Sequence, residues 1–180
     1  MTRPLFTLWH GTSSGPDNTA LHSILTGGLS KIFNNPRISG QTPGVYFATD
    51  RSYAIERALR CIGKLQRGGQ PVLLGIQTDL NPQEWDWDFE VSRAPVADMM
   101  RNLKINSFVP QGLIGYKPDD YRHGVSAAEI ACHNFRWQNE TTYRAQFANA
   151  TRLLVPDPDR KLAFKYTGYT PLRVQTVELI

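Results

Sequence analysis

Three residues carry side chains that could work on a sugar and its leaving group, each within a short apolar run. His10 ends the stretch FTLWH, followed by Gly11 and Thr12; Tyr46 sits in GVYFAT (44–49); Glu129 sits in SAAEI (126–130). A carboxylate fixed on a strand can stabilise the positive charge that grows at an anomeric carbon as a glycosidic bond breaks, as in glycosidases. Electrostatic preorganisation of that kind is worth about 3–4 kcal/mol. An imidazole can hydrogen-bond a sugar hydroxyl. A tyrosine ring can stack on a heteroaromatic leaving group, adding about 0.5–1.5 kcal/mol beyond burial. Glycine lets a ligand approach backbone N–H and C=O, because no Cβ stands in the way. Singly, the histidine and the tyrosine suit a core as well as a site. The glutamate is harder to place in a core, since a buried carboxylate without partners is costly.

The elements that must position these residues follow from local pattern. Residues 4–9 read as a strand. DNTALHSIL offers Asp17, Asn18 and Thr19 as helix N-caps, and GGL (27–29) stops that helix. NNPRISGQTPG is turn chemistry, and GVYFAT is a second strand. Asp50 caps a helix over about 51–66, with Ile55, Leu59, Ile62 and Leu65 at helical spacing and RGG beyond its end. PVLLGIQTDL (71–80) is apolar enough for a central strand. NPQEWDWDFE holds four acids and no base, and reads as a solvated loop or edge hairpin with Trp85 and Trp87 turned inward. PVADMMRNLK suits a helix, VPQGLIGYKPDD a loop, and SAAEIACHNF a strand entering the core. TRLLV, KLAFKY and PLRVQTVEL are strand candidates near the end. Strands seldom alternate with helices, so the expectation is a single α+β domain with mostly antiparallel strands.

Composition narrows the class. With 180 residues, 41% hydrophobic and 20% charged, the chain is long enough for one core without metal or disulfide support. Cys61 and Cys132 are too few for a disulfide framework and read as buried thiols. No signal peptide or membrane span is evident, so the expectation is a chain with no membrane partner, cytoplasmic or delivered into a target cell. No G-x-G-x-x-G follows a strand, no G-x-x-x-x-G-K-[ST] occurs, and no metal-ligand spacing stands out. Residues 1–90 carry eight Lys/Arg and eight Asp/Glu; residues 91–180 carry twelve and eight, so the whole net charge of +4 lies in the second half. That sign admits an acidic partner such as a nucleic acid.

Taken in order, LWHGT, ILTGGL, GVYFAT, VLLGIQTDLNP and FVPQGLIGYKPDD with SAAEI resemble the catalytic domain of the poly(ADP-ribose) polymerase family of ADP-ribosyltransferases. The resemblance spans roughly residues 5–135. It implies an ADP-ribosyltransferase-like fold, with antiparallel split β-sheets flanked by helices. It also implies NAD+ as a consumed substrate, with no metal, and a His–Tyr–Glu triad of His10, Tyr46 and Glu129. In that frame Glu129 holds a ribose hydroxyl and stabilises the oxocarbenium-like centre. The backbone of Gly11, in the family's His-Gly-[Ser/Thr] ending on Thr12, holds the nicotinamide carboxamide. Tyr46 stacks on the ring, and His10 hydrogen-bonds a ribose on the adenosine side.

Other positions are carried over with departures. The family's second tyrosine, about eleven residues after the first, falls on Arg57; Tyr53 is the nearest aromatic, and Ser52 takes the place of the family serine. Asn18 is the polar residue placed to approach adenosine, and Lys31 and Arg37 are placed for the diphosphate. Pro43 stands where polymer-forming members have a lysine, and Ala127 and Ala128 replace bulkier polar residues, which favours single transfer. The resemblance thus implies a mono-ADP-ribosyltransferase acting on a macromolecular acceptor, nucleic acid ahead of protein. A non-catalytic NAD-binding or ADP-ribose-binding module and an RNA 2′-phosphotransferase of the related HGT type are the alternatives.

Overall fold

The computed structural model describes residues 2–30, 44–88, 91–103, 139–154 and 162–180. Its strands are β1 (Phe6–Ser13), β2 (Val45–Ala48), β3 (Pro71–Thr78), β4 (Trp85–Trp87), β5 (Ala163–Tyr166) and β6 (Thr176–Leu179). Its helices are α1 (Thr19–Gly27), α2 (Arg51–Gly63), α3 (Arg93–Asn102) and α4 (Glu140–Arg152). The strands form one antiparallel sheet in the order β4-β5-β2-β1-β3-β6. The architecture is therefore α+β. The described strands make a single sheet, whose narrowest seam is β1–β2: these strands pair only at Trp9 and Ala48, whereas β1 and β3 pair over eight residues.

Strand alternation gives the sheet two different faces. Phe6, Leu8, Phe47, Leu74, Ile76, Trp85, Trp87, Phe164 and Tyr166 join the main core, closed by Tyr143 and Phe147 of α4 and by Val96 and Met99 of α3. Trp87 stacks on Phe164 at 5.0 Å between centroids, and Phe147 meets Trp87 edge-on at 5.3 Å. Opposite this core, α2 lies on β1. Asp50 caps it as expected, accepting from the Ser52 N–H at 2.9 Å.

The face that α2 buries differs from the sequence expectation. Ala54, Ala58 and Cys61 are its buried residues, whereas Leu59 and Leu65 are each 50% exposed. The reason is Gly11. A Cβ built there would lie 1.8 Å from the Ala54 carbonyl oxygen and 2.7 Å from the Ala58 nitrogen. Helix and strand backbones approach too closely for large side chains, so small residues form the contact. The helix also ends at Gly63, before RGG. Gly69 (φ +77°) belongs to the following loop, where a Cβ would strike the Ser14 hydroxyl at 2.2 Å.

Three further expectations are corrected. TRLLV is not a strand at its start: Thr151 and Arg152 close α4, and Leu153 is exposed. That helix was missed, although Tyr143, Phe147 and Ala150 have its spacing. NPQEWDWDFE does supply an edge strand with both tryptophans inside, but Asp86 is not solvated; it is 1% exposed and accepts from the Tyr143 hydroxyl at 2.5 Å. Finally, no side-chain cap bond forms at α1, whose preceding Asp17 and Asn18 adopt positive φ. NNPRISGQTP, VPQGLIGYKPDD and SAAEIACHNF lie outside the described residues. No helix among the described residues is long and apolar enough to cross a membrane.

Candidate functional site

Hydrogen-bond parity shows how the β1–β2 seam is built. Ser14 N–H donates to the Gln70 carbonyl at 2.9 Å, so even residues of β1 turn their backbone groups toward β3 and odd residues toward β2. Thr49 N–H donates to the Leu162 carbonyl at 2.8 Å, so Tyr46 and Ala48 turn theirs toward β1. Trp9 and Ala48 meet. In the same register Gly11 comes opposite Tyr46, one step beyond that pair. The Tyr46 carbonyl is 2.7 Å from Nδ1 of His10. The structure thus brings together three of the predicted site residues, His10, Gly11 and Tyr46, at this seam.

The surroundings of His10 fix its chemistry. Its side chain lies on the core face, in register between Leu74 of β3 and Phe47 of β2, with its ring 5.5 Å from that of Phe47. Burial among these apolar neighbours pushes its pKa below the usual 6.5; the Tyr46 carbonyl opposes that shift, and the Arg57 and Arg67 guanidiniums add to it. The ring is therefore neutral at pH 7. A carbonyl oxygen only accepts, so Nδ1 carries the proton and donates to it. Nε2 is left with its lone pair, ready to accept from a hydroxyl.

Alternation sends the Tyr46 side chain to the other face, the one α2 covers. There Gly11, Tyr46, Lys165 and Asp86 form a row across β1, β2, β5 and β4. The His10 imidazole and the Tyr46 phenol thus flank the seam from opposite faces. Lys165 is only 4% exposed, and its methylenes run past Gly44, where a Cβ would lie 2.4 Å from Cγ.

The remaining site candidates are more scattered. Thr12 is buried at the end of β1. Asn18 is exposed at the start of α1. Ser52 and Tyr53 open α2, and Tyr53 lines an open groove of about 390 Å³ with Glu56, Arg57, Leu59, Arg60, Gly63 and Lys64. Glu129, Arg37 and Lys31 lie outside the described residues, as do Pro43, Ala127 and Ala128. No group of three or more His, Cys, Asp or Glu able to hold a metal occurs among the described residues.

No family model, curated protein or solved structure matches the chain. The site is therefore read from its own residues. Sequence reasoning missed the reach of Arg57 and Arg67 to His10. Arg57 stood out only as an unexpected residue at a tyrosine position, and Arg67 only as part of a helix stop. It also missed Lys165 beside Tyr46, which the alternation of KLAFKY could have suggested.

Proposed function

We propose that this chain is an NAD-dependent mono-ADP-ribosyltransferase, with nucleic acid favoured over protein as the acceptor. The observation that carries the reading is the narrow seam, where His10, Gly11 and Tyr46 meet with Nδ1 of His10 on the Tyr46 carbonyl. Nε2 of a neutral His10 accepts a ribose hydroxyl. The Gly11 N–H and C=O, turned into the seam, match the acceptor and donor of a carboxamide. Tyr46 supplies a ring for the pyridine to stack against. Glu129 stabilises the oxocarbenium-like centre. In the reaction the nicotinamide leaves with the electron pair of its bond to ribose. An acceptor hydroxyl or amine then bonds to the anomeric carbon and gives up its proton. Pro43, Ala127 and Ala128 favour stopping after one transfer.

Gly11 also has a purely structural reason to be glycine, the close approach of α2. The weight therefore falls on the His10–Tyr46 contact and on Glu129. Incubation with labelled NAD and RNA, DNA and protein acceptors tests the proposal. Nicotinamide release with transfer of label supports it; Glu129→Gln transferring as well as wild type removes the carboxylate from the reaction.

A second reading, the RNA 2′-phosphotransferase, gains from one observation: the charges of Arg57 and Arg67 both reach His10. Positive charge acting at an imidazole suits a phosphate. Removal of the 2′-phosphate from a 2′-phosphorylated RNA, with no reaction on unphosphorylated acceptors, would favour that reading.

A further inference from the structure

We propose that a stripe along the flank of α2, formed by Tyr53, Arg57, Arg60 and Lys64, docks the phosphate backbone of a single-stranded nucleic acid. The proposal deepens the acceptor assignment above and rests on that reading for the fate of the bound strand, but not for the binding itself. The four residues are spaced i, i+4, i+7 and i+11. At about 100° per residue they fall within one narrow stripe, outside the buried Ala54, Ala58 and Cys61. They line the groove of about 390 Å³, in which Glu56 is the carboxylate.

Three features favour this occupant. First, Arg57, Arg60 and Lys64 are exposed, and among the described residues none has an ion-pair partner. Arg51, by contrast, is committed to Glu178. Cations at i, i+3 and i, i+4 oppose the helix that carries them, and a polyanion relieves that repulsion. Second, Tyr53 at one end of the stripe and the half-exposed Leu59 add an aromatic and an apolar surface to the cations. Cations that track a backbone beside a ring that can stack on a base are the means by which single strands are held without sequence preference. Third, α2 packs on β1 at Gly11 through Ala54 and Ala58, so a strand following the stripe runs beside the strand that carries the seam.

The test is fluorescence anisotropy of the full chain with a labelled single-stranded oligonucleotide of mixed sequence, as RNA and as DNA, without NAD. An acidic peptide of matching charge runs in parallel. The expected result is binding at low salt that weakens with a log–log slope near −2, from about three neutralised phosphates. The triple variant R57Q/R60Q/K64Q should bind at least tenfold more weakly, with a flattened slope and a melting temperature no lower than that of wild type. Arg152→Gln, on α4, should bind as wild type does. Tyr53→Ala should lose a few-fold in affinity and keep its slope. No oligonucleotide binding at low salt, an acidic peptide bound more tightly, or a triple variant matching wild type would overturn the proposal. Because NAD is absent, none of these outcomes depends on whether the chain transfers ADP-ribose.

Discussion

Replacing Gly11 with alanine would put a methyl carbon 1.8 Å from the Ala54 oxygen, 2.7 Å from the Ala58 nitrogen and 2.9 Å from the Ala54 carbonyl carbon. Ordinary contact begins near 3.4 Å, so α2 must move away by more than an ångström. All three obstacles are backbone atoms of one helix, so no side chain can rotate aside. Moving the helix opens the Ala54–Ala58–Cys61 contact with β1 along its length. Overpacking of cores costs typically about 1–3 kcal/mol, and a clash with rigid backbone belongs at or above the top of that range, about 3–5 kcal/mol. At a urea slope of about 2 kcal/mol/M, the midpoint should fall by roughly 2 M. Gly63→Ala is the internal control: it lies in the same helix with nothing within 4 Å of the added carbon, and should gain about 0.5–1 kcal/mol. The assay is urea unfolding followed by far-ultraviolet circular dichroism. A Gly11→Ala midpoint equal to that of wild type would refute the packing argument. If NAD binding alone were then lost, the glycine would exist for the ligand and not for the helix.

Other expectations follow from the same contacts. His10 has its pKa lowered in the folded chain, so unfolding takes up a proton as pH falls below the unfolded value near 6.5. Its contribution to stability is intact above that pH and is lost as pH falls through the folded pKa. His10→Gln should flatten melting temperature against pH in that window, and a wild-type His10 signal titrating at or above 6.5 by NMR would contradict the argument. The same spectra should show the Nδ1–H tautomer at pH 7; an Nε2–H tautomer would disprove the bond to Tyr46. Tyr143→Phe removes the hydroxyl that donates to buried Asp86 and should cost about 1–3 kcal/mol in urea unfolding, whereas a neutral result would show that other partners of Asp86 suffice.

Much of the frame was legible because short-range rules govern it. PVLLGIQT is β3 because a continuous apolar run suits a strand flanked on both sides, and Asp50 caps α2 by ordinary side-chain chemistry. The tryptophans of β4 turn inward as their size requires. The sequence reading failed where a contact between distant segments decides the outcome. Which side of α2 is buried depends on a glycine forty residues earlier, and a hydrophobic stripe within the helix carries no trace of it. Asp86 reads as solvated until a tyrosine from α4, far along the chain, is seen to donate to it. For the site, residue type and order singled out His10 and Tyr46, and the structure brings His10 to the Tyr46 carbonyl. The sheet parity that places the imidazole and the phenol on opposite faces needs the register of three strands and could not be read in advance. The charge that Arg57 and Arg67 exert on His10 escaped notice for a related reason: it depends on where α2 and the segment after it lie on the sheet.

The central claim is that the narrow β1–β2 seam holds NAD and that the bond to nicotinamide breaks there. The most direct measurement is nicotinamide release from labelled NAD by the wild-type chain, by His10→Ala and by Glu129→Gln, at high protein concentration with nucleic-acid and protein acceptors present. The account predicts release with wild type, accompanied by label on an acceptor, and a fall of at least a hundredfold in each variant. NAD recovered intact from the wild-type protein, or variants that release nicotinamide at the wild-type rate, would contradict it.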